Sequence, residues 1–203
     1  MKKALFVMAV FVMAFSVTTN AQDNEGGAFS KGSSYVNLGY GFGNIWKKTF
    51  TLNSGFYGGT YKVSTTGPYS LTYEYGISDK ISVGIAGSYS QVKGTYTAPT
   101  NLPADNFVDK LTNFSVIVRS NYHFGHSEKF DPYIGLGVGY YNFKYESKTG
   151  DGVNQSSTYV IPGAFGYNGQ LGARYFFSTN FGIFAEVGYV AGAFAQGGIA
   201  LKF

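Results

Sequence analysis

From residue 34 to the last residue, the chain alternates between apolar and polar or very small positions with a period of two. That is the spacing at which successive side chains of a strand point to opposite faces. The pattern predicts eight strands, over 34–43, 68–77, 81–91, 112–124, 132–143, 163–177, 181–190 and 195–203. In the fifth, Ile134, Leu136, Val138 and Tyr140 alternate with Gly135, Gly137 and Gly139. In the second, Tyr69, Leu71, Tyr73, Tyr75 and Ile77 alternate with Ser70, Thr72, Glu74 and Gly76.

The predicted connections differ in length by side. Short turns fall at 78–80, 125–131 and 178–180, and longer segments at 44–67, 92–111 and 144–162, with a short final connection at 191–194. Short turns on one side and longer loops on the other are the layout of a transmembrane β-barrel, and such strands need about 9–11 residues to cross. The expected fold class is therefore all-β: an eight-stranded antiparallel up-and-down transmembrane β-barrel over 34–203. An even strand number puts both termini on the short-turn side, which would be the periplasm.

Alternation alone does not separate a membrane barrel from a soluble one, whose apolar face points inward. The face opposite the apolar residues decides the direction here. It is built from Gly, Ser, Ala and Asn, and it also holds Glu74, Arg119, Arg174, Glu186 and Lys202. Those charges would be unpaired in lipid but can pair in a lumen, while Tyr and Phe recur near strand ends on the apolar face, as interfacial girdles require. On this assignment Val138→Arg would impair insertion strongly and Gly137→Ser mildly.

The N-terminal segment has a different grammar. Lys2 and Lys3 precede a nearly continuous apolar run from 4 to 17, and Thr19 and Ala21 then supply the small or polar residues of a cleavage site. This is the three-part pattern of a secretory signal peptide, and the run is shorter than the roughly 20 residues of a spanning helix. Residues 1–21 are read as that signal and 22–33 as a flexible lead-in.

Composition agrees. Charged residues are only 13% of the chain while aromatic residues are 19%, an imbalance foreign to an ordinary soluble domain. There is no Cys, which excludes disulfides and thiolate metal sites. Removing Lys2 and Lys3 from 15 basic residues leaves 13 against 11 acidic ones, a net +2 that gives no case for nucleic acid.

The ending Gly198-Ile199-Ala200-Leu201-Lys202-Phe203 resembles the C-terminal signal of outer-membrane barrels. In that family, alternating apolar residues and a terminal aromatic (here Ile199, Leu201 and Phe203) are read by the barrel-insertion machinery. The stretch Pro132-Tyr133-Ile134-Gly135-Leu136-Gly137-Val138-Gly139-Tyr140 is similar to a strand of the OmpA/OmpX-like and OmpW-like small barrels. So are Val118-Arg119-Ser120-Asn121-Tyr122-His123-Phe124 and Phe184-Ala185-Glu186-Val187-Gly188-Tyr189. The resemblance implies a Gram-negative-type outer membrane and assistance from periplasmic chaperones and insertion machinery. It does not extend to the peptidoglycan-binding domain of full-length OmpA. It implies little about function, because such barrels host many roles.

The inward charges Glu74, Arg119, Arg174, Glu186 and Lys202 would form either a gate or a structural ion-pair network filling the lumen. The network is favoured, since one such charge left unpaired costs several kcal/mol. His123 points inward near the short-turn end and His126 sits in a turn. Neither is placed at the loop side, where a lipid-modifying barrel enzyme would need it, so no catalytic residue, metal or cofactor is expected. The first loop holds Trp46, Lys47, Lys48, Phe50, Phe56, Tyr57 and Tyr61, and also Lys62. This mix would serve as a surface for a ligand or for anionic lipopolysaccharide headgroups, or equally as protruding strand extensions.

The function expected is a non-enzymatic outer-membrane barrel with a structural or surface-interaction role and a largely plugged lumen. The alternatives are a small porin-like channel for ions or small solutes and, after it, a lipid-modifying enzyme. Its partners would be outer-membrane lipid and lipopolysaccharide, and no nucleic acid.

Overall fold

A computed structural model describes residues 27–53, 59–99, 106–125, 127–150, 155–190 and 192–203. Residues 1–21, expected to be a signal, and His126, Phe56 and Tyr57 lie outside the described residues.

Strands β1 (Ser34–Phe42), β2 (Thr60–Gly76), β3 (Ile81–Thr97), β4 (Phe107–His123), β5 (Phe130–Thr149), β6 (Gln155–Phe176), β7 (Phe181–Val190) and β8 (Ala193–Lys202) follow one another around the barrel. Each pairs antiparallel with its sequence neighbour, and β1 pairs with β8, so the barrel closes. Short connections use one device repeatedly. In the turn after β2, Ser78 Oγ accepts the backbone N–H of Lys80 and Ile81, at 3.3 and 3.1 Å. Ser178 does the same for Phe181 at 3.2 Å, and Ser127 for Lys129 and Phe130 at 3.3 Å each. A serine hydroxyl caps such tight turns because it can fold back onto the backbone.

The strand directions hold as expected. Val118, Leu136, Val138, Leu171, Ile183 and Val187 are exposed on the outer surface, bounded by aromatic belts. Tyr40, Tyr69, Tyr89, Phe114 and Tyr140 make one belt; Tyr75, Tyr122, Phe130, Tyr175 and Phe181 make the other. The inner face buries Asn37, Thr72, Ser88, Ser115 and Asn168 together with the charges. An apolar exterior over a polar interior is the reverse of a soluble barrel and is what hydrocarbon requires.

Two features depart from the sequence expectation. Segments read as long loops are in part continuations of β2 to β6, which run 17–22 residues against 9–10 for β1, β7 and β8. The barrel thus has a tall wall on one side and a low rim on the other. Along β3 the alternation persists past the aromatic belt, but its meaning inverts. Below the belt Ser82 and Ser88 point inward and Val83 and Tyr89 outward; above it Val92 is buried inside and Lys93 is exposed outside. A polar outer face and apolar inner face are what water outside and a covered interior demand.

The second departure is helix α1 (Ile45–Asn53) in the first long connection. Asn44 caps it by accepting the N–H of Lys47 at 3.0 Å. Trp46 and Phe50, four residues apart, share a face. Trp46 meets Phe143 edge-on at 5.3 Å between ring centroids. A Cβ on Gly94 would stand 3.0 Å from the Phe50 ring and closer still to Tyr61, so only glycine admits this approach. The helix therefore packs against the inner side of the tall wall.

Candidate functional site: a charged layer across the lumen

Every strand contributes to one buried cluster near the short-turn end. Arg119 on β4 reaches across to Glu186 on β7, with Nη2 2.5 Å from Oε1. The same nitrogen lies 3.2 Å from Glu74 Oε1 on β2. Glu74 Oε2 accepts from Arg174 Nη2 at 3.0 Å, and Arg174 Nε donates to Asp131 Oδ2 at 2.8 Å. Asp131 Oδ1 lies 2.6 Å from His123 Nδ1. His123 Nε2 is 3.0 Å from Ser82 Oγ on β3, which donates back to Glu74 at 3.4 Å. The ring of contacts is closed.

The remaining strands complete it. Tyr133 on β5 donates to Glu186 Oε1 at 2.8 Å, and Gln196 on β8 donates to Glu186 Oε2. Tyr35 on β1 lies under the Arg174 guanidinium, 4.3 Å from ring centroid to Cζ, and Tyr133 lies at 4.9 Å. An added Cβ at Gly172 would stand 2.6 Å from the Tyr133 ring and 2.7 Å from Glu186 Cγ, so this glycine makes room for that hydrogen bond. Three carboxylates face two guanidiniums, with the His123 ring held between Asp131 and Ser82. Glu74, Asp131, His123, Tyr133 and Arg174 have no exposed surface at all. Charges this deep persist only when paired and hydrogen-bonded.

Below the layer, toward the short turns, residues 27–33 fold into the mouth of the barrel. Phe29 stacks on His123 with centroids 3.6 Å apart and planes 3° from parallel. Ala28 N–H donates to Ser127 O at 2.8 Å, and Ala28 O accepts from Tyr35 Oη at 3.2 Å. Ser30 N–H donates to Tyr35 Oη at 3.1 Å, and Gly32 N–H to Gly76 O at 2.8 Å. The described part of the lead-in is thus tied to the barrel at several points, more than its polar sequence suggested. Above the layer, Ser70, Thr72, Ala86, Ser88, Ser115, Ile117 and Asn168 surround a narrow gap.

Of the sequence-named lumen residues, Glu74, Arg119, Arg174 and Glu186 are brought together. Lys202 is not; its Nζ donates to Gly27 O at 2.8 Å and so helps hold the N-terminal segment. Asp131 falls in the turn predicted over 125–131, although counting back by two from Tyr133 places it on the inner face. Tyr35, Ser82 and Gln196 are neutral inward residues, which carry no distinguishing signal in the sequence. In the first loop Trp46, Lys47, Lys48 and Phe50 lie on α1 and Tyr61 on β2, so this region is part helix and part strand extension. Ile199, Leu201 and Phe203 belong to the outward face of β8 and its end.

Ser82, His123 and Asp131 have the contact order of a nucleophile, base and orienting acid. The surroundings do not suit that chemistry. Ser82 is wholly buried, it shares its hydroxyl with Glu74, and Phe29 covers the imidazole. Asp131 is already committed to Arg174. Among the described residues no group of His, Asp or Glu is arranged to hold a metal.

The geometry is therefore that of a membrane barrel. No curated protein sequence matches. Among solved structures, the chain is similar to Ail, the attachment invasion locus protein of Yersinia pestis, with a TM-score of 0.44 and 16% identity over 85% of this chain and 99% of that one. It is similar to the N-terminal β-barrel domain of Pseudomonas aeruginosa OprF, at 0.41 and 17% over 86% and 100%. It is also similar to P. aeruginosa OprG, at 0.43 and 14% over 88% and 98%. The family model for the outer membrane protein beta-barrel domain matches residues 7–199. The chain belongs to the outer membrane protein β-barrel domain family.

Proposed function

We propose that this outer-membrane barrel has a structural or surface-interaction role and does not conduct. One observation carries it: the contacts from Glu186 through Arg119, Glu74 and Arg174 to Asp131 bridge the lumen, and Phe29 seals the mouth beneath them. An eight-stranded barrel is just wide enough for side chains to fill. The tall wall of β2 to β6 stands outside the cell and offers the interaction surface, while the short turns and both termini face the periplasm. Ile199, Leu201 and Phe203 present the alternating outward pattern that the insertion machinery engages. The role is non-enzymatic, because Ser82 is enclosed and partnered.

Liposome swelling in arabinose tests the closed lumen. Vesicles holding the refolded protein should swell no faster than protein-free vesicles; swelling at porin-like rates would overturn the proposal.

A second reading, a small porin-like channel, has one observation in its favour. The mid-lumen gap is lined by small polar residues and has room for a water, and elsewhere in the lumen both side-chain polar atoms of buried Asn37 lack a protein partner. On that reading the charged layer is a gate and Phe29 its stopper.

A further inference from the structure

The outer face of the tall wall carries a pattern of its own. Cross-strand register aligns Tyr69, Tyr89, Phe114 and Asn142 in the aromatic belt. The next outward row holds Thr66, Gln91, Thr112 and Lys144. Beyond it come Ser64, Lys93, Lys110 and Glu146, then Lys62, Thr95, Val108 and Lys148. Rows are two residues apart, about 7 Å along a strand. Among the described residues, Lys62, Lys93, Lys110, Lys144 and Lys148 thus share one surface with a single acid, Glu146.

That acid is already committed. Glu146 Oε2 lies 3.3 Å from Lys110 Nζ, and Oε1 accepts from Lys144 at 3.0 Å. Lys93 stands directly opposite Lys110, and among the described residues no carboxylate is within ion-pairing distance of it. Asp109 is adjacent in sequence but points to the other face. Like charges directly opposite destabilise an antiparallel pair. The fold does not need this repulsion, since other strand residues would serve at either position. An anion bound between the two ammoniums would relieve it.

Position selects the anion. The cluster begins one row beyond the belt that marks the edge of the hydrocarbon. Below Lys110 the outward positions of β4 continue as a column of Thr112, Phe114, Val116 and Val118, in which Phe114 and Val118 are exposed to lipid. A lipid lying along that column would raise its headgroup to the lysines. Ammonium groups bind phosphate as point charges without the planar geometry a guanidinium imposes. We propose that Lys93, Lys110 and Lys144 form a binding site for the phosphate groups of an outer-leaflet glycolipid headgroup, with Lys62 and Lys148 at its margin.

The site rests on the tall wall facing the exterior, as proposed above, but not on the lumen being closed. Native mass spectrometry of the refolded full chain in neutral detergent tests it, with bisphosphorylated lipid A as the probe. The wild type should retain lipid A, and enzymatically dephosphorylated lipid A should be lost from the complex. K93Q and K110Q should each weaken retention about fivefold. K47Q/K48Q, on α1, should leave it unchanged. Heat-dependent gel migration confirms that each variant is folded. Equal retention by wild type and K93Q/K110Q would overturn the site. Displacement by 10 mM inorganic phosphate as effective as that by unlabelled lipid A would replace the lipid with a free anion and overturn it too. A protein that binds lipid A yet lets vesicles swell would sink only the closed lumen.

Discussion

Arg119 and Glu186 sit on β4 and β7, strands that are not neighbours, and meet across the lumen at 2.5 Å. Such a contact ties opposite walls together. It also means that the layer is assembled only when the barrel closes, because no local hairpin brings these two residues near each other.

Removing one partner should be costly for that reason. Arg119→Ala leaves Glu186 and part of Glu74 as buried, uncompensated carboxylates, at a cost of roughly 3–5 kcal/mol. Urea unfolding of the refolded barrel measures it. Adding Glu186→Gln to Arg119→Ala should recover part of the loss. A loss below about 1 kcal/mol for Arg119→Ala would mean that water already screens the layer.

Phe29 is held by stacking on His123 rather than by any covalent tie. Phe29→Ala should therefore free the N-terminal segment while the barrel stays folded. Limited proteolysis reads this as faster cleavage near residues 27–33, with the heat-resistant core unchanged. Cleavage at the wild-type rate would show that the backbone bonds of Ala28 and Gly32 hold the segment without the ring.

Val138 and Gly137 test the facing of the wall, with one revision. Val138→Arg places a charge in lipid and should cost about 2–4 kcal/mol near the midplane. Gly137→Ser, mild on sequence grounds, is not a clean control, since a Cβ there would stand 2.2 Å from Asn168 Oδ1. Ala86→Ser, beside the mid-lumen gap, should instead stay within about 1 kcal/mol of wild type. Equal effects of Val138→Arg and Ala86→Ser on folding yield in vesicles would contradict the face assignment.

Glu146 lies two rows beyond the aromatic belt and gives a pH-dependent handle. The hydrogen bond from Lys144, aided by Lys110, holds its carboxyl below the ordinary range. A depressed folded value contributes stability above the ordinary carboxylate pKa of about 4.3, and that contribution is lost as pH falls through the folded value. Lys144→Ala should move the Glu146 titration upward, followed by carbon-13 NMR of its carboxyl. The pair is only partly buried, so the change in stability should be small. An unmoved titration would mean that the contact does not persist in solution.

The sequence carried the membrane-embedded part of this fold clearly. There each strand meets lipid outside and polar groups inside, so the period of two has one constant meaning; β7 was read at its observed bounds, Phe181–Val190. Above the belt the period continues, but Lys93 faces out where Tyr89 did, and Val92 faces in where Ser88 did. A pattern whose sense reverses reads as a loop, and the ends of β3 and β5 were missed for that reason. Helix α1 was hidden because its Thr-rich turns have no strong propensity. It depends on the Asn44 cap and on Trp46 reaching Phe143, a contact from a distant strand. The layer's charges were legible from their improbable place among inward residues. Their pairing was not, because which carboxylate meets which guanidinium depends on barrel stagger.

Single-channel recording in a planar bilayer tests the central claim of a closed lumen most directly. The refolded wild-type protein should give no reproducible conductance steps, whereas Phe29→Ala combined with Arg119→Ala should open discrete ones. Regular steps from the wild type, unchanged in the double variant, would contradict a lumen closed by the charged layer and Phe29.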